Sequence, residues 1–250
     1  MDSATARRLV DLNRLFYQTF ADDFSATRQR LQPGVRKILA ALGGSAQILD
    51  LGCGNGETAR SLAGAGFGGT YLGLDFAPAF LALARRGLDP AQFRFAEADL
   101  TTGRWPAAID SGLLFDVVFS FATMHHIPSA RARLELVKTI HTLLRPGGRF
   151  VHSHWQFLNS EKLKGRIQPW AYAGLPLSAV DEGDYLLDWR GSGQPALVPA
   201  GTGEHGLRYA HHFSEAELGQ LAEAGGFDVL ETFHSDGQGG RLGLYQVWAA

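Results

Sequence analysis

The chain has almost no cysteine: Cys53 stands alone among 250 residues, so no disulfide can form within it. No apolar run approaches the roughly 18 residues of a membrane span. The first residues include Asp2, Arg7 and Arg8 in place of an apolar leader core, so the sequence is read as soluble and cytoplasmic, with no membrane partner. The formal net charge is only −2, so the overall balance does not mark a nucleic-acid binder. His152 and His154 would share one face of a strand. With a single cysteine and no third spaced ligand they do not make a zinc set, and no metal is expected. Internal repeats and low-complexity tracts are also lacking.

What is present is a regular alternation of strand and helix signals. Helices are expected over 4–20, from Pro33 through Leu42, and over 57–65, 77–86, 129–144 and 214–225. Strands are expected near 46–51, 70–75, 92–97, 114–120 and 148–155, with Pro146-Gly147-Gly148 acting as a breaker. Phe227 to Leu230 and Leu242 to Trp248 read as a closing antiparallel pair. This alternation is that of an α/β domain with helices on both faces of a mainly parallel sheet. One domain is expected: an N-terminal helical cap (1–44), a cofactor-binding core (45–155), an insertion over the active site (156–206), and a C-terminal helix and hairpin (207–250).

The run Ile48-Leu49-Asp50-Leu51-Gly52-Cys53-Gly54-Asn55-Gly56-Glu57 ends a strand in a carboxylate and then alternates glycines into a helix. Glycines at such a turn permit tight backbone and let a ligand lie on bare main chain. The spacing G-x-G-x-G is not the G-x-G-x-x-G that seats a pyrophosphate. Asp75 ends the next strand, where a carboxylate can accept from both ribose hydroxyls, and Asp99 follows the third, placed for an exocyclic adenine amine. Each acid could equally be a solvated strand end or a helix cap. Cys53 reads as a small residue in a crowded turn.

These residues resemble the class I S-adenosylmethionine-dependent methyltransferases. Leu49 to Gly56 resembles their first motif, Asp75 their ribose-binding acid, Asp99 their adenine-contacting acid. Phe115-Asp116-Val117-Val118-Phe119-Ser120 resembles their fourth strand, and Leu143 to Phe150 their post-helix turn and fifth strand. The resemblance implies a Rossmann-like sheet of about seven strands with an antiparallel edge, S-adenosyl-L-methionine as cofactor, and a binding set of Asp50, Gly52, Cys53, Gly54, Gly56, Asp75, Phe76, Asp99, Leu100, Ser120 and Tyr17.

A narrower resemblance, to the methyltransferases that esterify 5-carboxymethyluridine at the tRNA wobble position (the type associated with AlkB homologues), lies in Phe16-Tyr17, Phe24 to Arg28, Phe121 to His126, Trp155, Tyr185 to Arg190 and Arg208 to Leu218. It implies tRNA as a partner and His125, Arg208 and Arg28 at the acceptor. A carboxylate with pKa near ~4 is already ionised at neutral pH, so its methylation needs approach and dryness, not a base. An arginine fork would hold it. For a phenol or amine, His125 or His126 would serve as base. A small-molecule acid or hydroxylated metabolite is the alternative acceptor. A non-catalytic, cofactor-binding partner subunit is a third reading. Arginine and lysine are frequent in 131–170 and in the first forty residues; if the two regions meet they would track phosphates, and otherwise they are solvated helix faces.

Overall fold

The computed structural model describes residues 1–20, 30–189 and 206–250. In chain order the α-helices among the described residues are α1 (Ser3–Thr19), α2 (Pro33–Ala40), α3 (Glu57–Gly64), α4 (Pro78–Ala84), α5 (Ala130–Leu143), α6 (Glu161–Lys164) and α7 (Glu215–Gly225). Its strands are β1 (Gln47–Leu51), β2 (Thr70–Asp75), β3 (Phe93–Glu97), β4 (Phe115–Phe121), β5 (Leu144–Trp155), β6 (Ile167–Gln168), β7 (Asp184–Asp188), β8 (Leu207–His211), β9 (Asp228–Ser235) and β10 (Gly243–Ala249). Seven strands form the main sheet in the order β3-β2-β1-β4-β5-β10-β9. β1 to β5 pair in parallel, and β10 joins antiparallel to both β5 and β9.

Covered on both faces, β1, β2 and β4 are mostly buried and largely apolar, as covering helices require, while the edge strand β3 is only partly buried. Leu49 and Leu51 of β1 and Val118 of β4 pack with Leu136, Val137 and Ile140 of α5 and Leu218 of α7. Ile48, Tyr71, Val117 and Phe119 point the other way, against Ala59 and Leu62 of α3 and the half-buried Ile38 and Leu39 of α2. The order reverses at β1 and β4, so the parallel strands open a crevice at their carboxyl ends there.

Two expectations need correction. Pro146-Gly147-Gly148 does not separate helix from strand: β5 starts at Leu144, directly after α5. The register against β4 slips between Phe115 and Val117, and the extra residues bulge toward the chain's end, where Gly147 N–H donates to the Ala250 carbonyl. Residues 207–211, placed with the C-terminal helix and hairpin, are instead a strand. β8 pairs antiparallel with β7, which pairs with β6, in a second sheet of three. Four of its five residues are buried, so neither strand shows the alternation that marks a half-buried one.

Helix α1 docks on β8 through Asn13. This buried amide stands on the apolar stripe with Leu9, Phe16 and Tyr17. Its Oδ1 accepts from Tyr209 N–H (2.8 Å), and its Nδ2 donates to the carbonyls of Tyr209 (3.2 Å) and His126 (3.4 Å). It thereby satisfies strand-edge backbone groups that burial would otherwise leave unpaired. Beneath β8, His211 lies between Asp184 Oδ1 (2.7 Å) and Glu217 Oε1 (2.8 Å). Both ring nitrogens face acceptors; burial alone would lower its pKa, but these two bonds outweigh it and hold the ring above its ordinary value.

Candidate functional site

A cavity of about 460 Å³ opens at the carboxyl ends of β1, β2, β4 and β5, within the size range of small-molecule sites. Val10, Asn13, Arg14 and Tyr17 of α1 and residues 30–32 and 35 line it from the N-terminal side. The described part of the 156–206 segment lines none of it; residues 156–189 stand behind Trp155 and Arg208, and 190–205 lie outside the described residues.

The glycine turn is built as its sequence demands. Gly52 has φ +78°, and its N–H and that of Cys53 both donate to the Leu74 carbonyl (2.8 and 3.0 Å). A Cβ on Gly52 would sit 2.1 Å from Thr123 Oγ1. Gly54, at φ +54°, would place a Cβ within 4 Å of nothing, so its main chain is bare to the cavity. Gly56 lies outside the lining; its missing Cβ lets it approach Ala84 of α4, whose Cα a Cβ would meet at 2.8 Å. Cys53 is buried, and burial pushes its thiol well above the ordinary range, which makes it unreactive.

Asp75 is buried at the end of β2. Oδ2 accepts from Gly54 N–H and Oδ1 from Ala77 N–H, both at 2.9 Å. Burial raises its pKa, and the backbone donors of Ala77, Gly54 and Phe76 oppose that rise. An ionised carboxylate has about four acceptor positions, so two bonds leave capacity for vicinal hydroxyls. Asp50 lies deeper, bonded by the Tyr71 hydroxyl; burial pushes it up to about 6 against that bond, with Asp75 adding to the rise.

Asp99 has both carboxylate oxygens engaged by protein groups. Oδ1 caps its turn, accepting from Thr101 N–H (3.0 Å) and Oγ1 (2.6 Å), and Oδ2 pairs with Arg14 of α1 at the cavity wall. Phe76 and Leu100 line the same end, with Phe76 edge-on to Tyr17 (6.1 Å). Ser120 is fully buried in β4 and does not reach the cavity. A bare glycine turn, a buried carboxylate with spare acceptor capacity and an apolar wall together fit an adenosine ligand with a small cationic tail.

The opposite end holds His125, His126, Ser153, His154, Trp155 and Arg208. Arg208 is only 4% exposed, with its guanidinium over the rings of Trp155 (4.5 Å) and Phe16 (5.4 Å). Burial lowers its pKa, and a hydrogen bond to Tyr17 opposes this. Among the described residues its Nε has no hydrogen-bond partner and no carboxylate pairs with it. His125 is buried beside His126 (4.2 Å between rings). Arg28 lies outside the described residues. Of the tryptophans, Trp155 alone faces the cavity; Trp170 packs in the core with Leu9, and Trp189 against Phe16 and Phe20.

Sequence reasoning did not select Arg14 or Asn13. The signal for Asn13 was available: a polar residue at i+4 from Leu9 and i−4 from Tyr17, on the buried stripe. His152 and His154 are a buried pair, Nδ1 to Nε2 at 2.7 Å; burial pushes His152 down to about 3 and His154 well below its ordinary value.

Sheet order, reversal point and site define a class: α/β transferases that hold an adenosine cofactor on the glycine turn after β1. The chain belongs to the methyltransferase-domain family, whose model matches residues 24–232 and whose class I members use S-adenosylmethionine. The chain spans between about a fifth and just under two thirds of the length of the first curated relatives it matches. It is 29% identical over 141 residues to the tRNA (carboxymethyluridine(34)-5-O)-methyltransferase of Mus musculus, covering 56% of this chain but 19% of that protein. It is 29% identical over 185 residues to the ubiquinone biosynthesis O-methyltransferase of Thiobacillus denitrificans, covering 74% of this chain and 66% of the relative. The fold matches that of the 1,6-didemethyltoxoflavin-N1-methyltransferase of Burkholderia thailandensis, with a TM-score of 0.62 at 21% identity over 98% of this chain and 88% of that one.

Proposed function

We propose that this domain methylates a carboxylate oxygen, and that the acceptor is the carboxymethyl group of a modified tRNA wobble uridine. Arg208 carries the reading: a buried cation at the cavity wall, stacked on aromatics, with no acid partner among the described residues. A lone buried charge is expensive unless an opposite charge meets it. An acceptor carboxylate supplies that charge and accepts from the fork of Nε and one terminal nitrogen. The likeness to tRNA carboxymethyluridine methyltransferases supports the same acceptor.

When bound, S-adenosylmethionine supplies an electrophilic methyl on a cationic sulfur. Asp75 would hold its ribose, Gly52 and Gly54 its methionine end, and Phe76, Asp99 and Leu100 its base. Arg208 orients the acceptor oxygen, while Trp155, Phe16 and His125 exclude water that would solvate it. No proton moves, because a carboxylate enters ionised.

A second reading, a hydroxyl acceptor, draws on the likeness to ubiquinone O-methyltransferases and on the Tyr17–His126 pair, which would take the proton. The tRNA surface is smaller than the list of cations suggested. Arg133 is buried under β8, and Arg14, Lys37, Arg145 and Lys164 are paired with Asp99, Glu231, Asp116 and Glu161. Arg131, Lys138, Arg149, Lys162 and Arg166 would carry the phosphate contacts.

The test is radiolabelled methyl transfer to tRNA bearing 5-carboxymethyluridine and, in parallel, to small-molecule acids and phenols. Base-labile label in tRNA, with affinity falling steeply as salt rises, is the expected result. Label only in a small molecule, stable to base, would overturn the ester reading.

A further inference from the structure

Among the described residues three that are not glycine take positive φ: Ala122 (52°), Ser129 (74°) and Asp236 (70°). A left-handed L-residue crowds its own Cβ against the backbone, so something must hold it there. Ser129 and Asp236 have polar side chains bonded in place: Ser129 Oγ caps α5, and Asp236 accepts from Gly34 N–H and the Tyr245 hydroxyl. Ala122 has only a methyl. It is the first residue after β4, and it lines the cavity. The peptide before it is fixed at its N–H, which donates to the carbonyl (3.0 Å) and Oγ (3.1 Å) of Ser153 on β5. Beyond it, the Thr123 hydroxyl reaches back and donates to the Phe121 carbonyl at 3.1 Å. That bond closes a ring across both backbone dihedrals of Ala122, so it holds the strained conformation from outside.

Thr123 is also seated. A Cβ on Gly52 would lie 2.1 Å from Thr123 Oγ1 and 2.5 Å from its Cγ2, so Thr123 fills the room that the glycine leaves. Gly52 itself is tied by its N–H to the Leu74 carbonyl (2.8 Å), a bond that does not involve Thr123. On its other side the Thr123 carbonyl accepts from His126 N–H (2.9 Å), which closes the turn that carries His125 to the acceptor end of the cavity. One threonine thus joins the glycine turn to the far wall of the site.

We infer that Thr123 is a positioning residue: acting through the left-handed Ala122, its hydroxyl sets the turn between the donor and acceptor halves of the cavity and so the approach of the acceptor to the methyl group. The inference rests on the donor and acceptor halves assigned above.

Thr123→Val keeps the shape and removes the hydroxyl. With tRNA bearing 5-carboxymethyluridine and saturating S-adenosylmethionine, kcat falls about fivefold, the loss of one hydrogen bond, while cofactor affinity by calorimetry stays within about twofold. Thr123→Ser keeps the hydroxyl and most of kcat. Adding Ala122→Gly to Thr123→Val recovers most of the loss, because glycine takes positive φ without strain; a role in folding alone gives no such rescue. A crystal structure of Thr123→Val shows Ala122 at negative φ and residue 123 lifted from Gly52. Wild type that labels no tRNA overturns the acceptor reading alone, and the crystal structure then decides the inference. Ala122 still at positive φ in Thr123→Val overturns the inference whatever the acceptor. So do an unchanged kcat, Thr123→Ser as damaged as Thr123→Val, or no rescue by Ala122→Gly. A loss of cofactor affinity of about tenfold in Thr123→Val also overturns it, because Thr123 is then a cofactor ligand.

Discussion

Acid should destabilise this fold through a specific pair of side chains. His152 is buried between Phe150 and Trp248, its ring 4.6 and 4.3 Å from theirs, and burial holds its pKa at about 3 against an ordinary 6.5. In the unfolded chain it binds a proton near its ordinary value; in the fold it does not. The unfolded state therefore takes up more protons between these two values, and stability falls as pH drops through that window. Between about pH 7.5 and pH 5 the loss from His152 alone is about 2 kcal/mol. Two groups work in the opposite direction. Asp50, raised to about 6, binds its proton more tightly in the fold, so acidification restores about 1.4 kcal/mol over the same range. The stability that raised His211 confers is fully present in acid and is lost as pH climbs through its folded pKa. The pH profile of the wild type alone therefore mixes signs, and the comparison needed is with His152→Phe. Asp50 and His211 are common to both proteins and largely cancel in the difference, while His154, bonded to His152, loses that partner in the variant. Urea unfolding at a series of pH values should show the variant losing about 2 kcal/mol less than wild type on acidification to about pH 5, whatever its stability at neutral pH. Parallel profiles would refute the reasoning, because they would mean that His152 titrates alike in the folded and unfolded chains.

Asp75→Ala should weaken S-adenosylmethionine binding by at least about a hundredfold, since two charge-assisted bonds to the ribose are worth roughly 1.5–3 kcal/mol each. Calorimetry showing unchanged affinity would remove Asp75 from the ribose. The glycines of the turn should separate by cause. Gly52→Ala meets Thr123 within the fold and holds φ +78°, so it should lower the melting temperature by several degrees, at a cost of about 2 kcal/mol or more. Gly54→Ala meets no protein atom, so it should cost less stability and more cofactor affinity; the reverse ranking would mean that the ligand does not lie against Gly54.

The parts of this molecule that were legible in the sequence are those where one local rule decides. The central parallel strands β1, β2 and β4 are largely apolar because both faces are covered, and the turn after β1 shows its glycines because positive φ and close approach admit little else. Asp75 and Asp99 were legible by position, since successive strands of a parallel sheet end at one edge. What escaped were features that local pattern does not encode. Residues 144–155 carry a Pro-Gly-Gly run that ordinarily ends an element, yet pairing with Ala250 and β4 holds them in one strand. β8 escaped because its polar residues are buried. Arg208 lies under aromatic rings, and His211 between Asp184 of β7 and Glu217 of α7, so neither face of the strand reads as solvent.

At the other end of the cavity His125, His126 and Arg208 were reached through the family resemblance and not through local pattern, for a related reason. Tyr17, His126 and Arg208 lie more than eighty residues apart in sequence from one element to the next, and each has an ordinary local explanation: an aromatic on a helix, a histidine before a helix, an arginine on a strand. Only the docking of α1 brings them together, and that docking turns on Asn13. A polar residue at the centre of an apolar stripe conflicts with the helix's amphipathic pattern, and such conflicts mark places where tertiary structure has a use for the residue. Here the use is to occupy the backbone of Tyr209, one residue after the cation that the site needs. The strand edge and the helix beside the arginine are thus joined by one side chain. This is why the glycine turn and the strand-end acids could be placed from the sequence, while the way Arg208 is held became visible only in three dimensions.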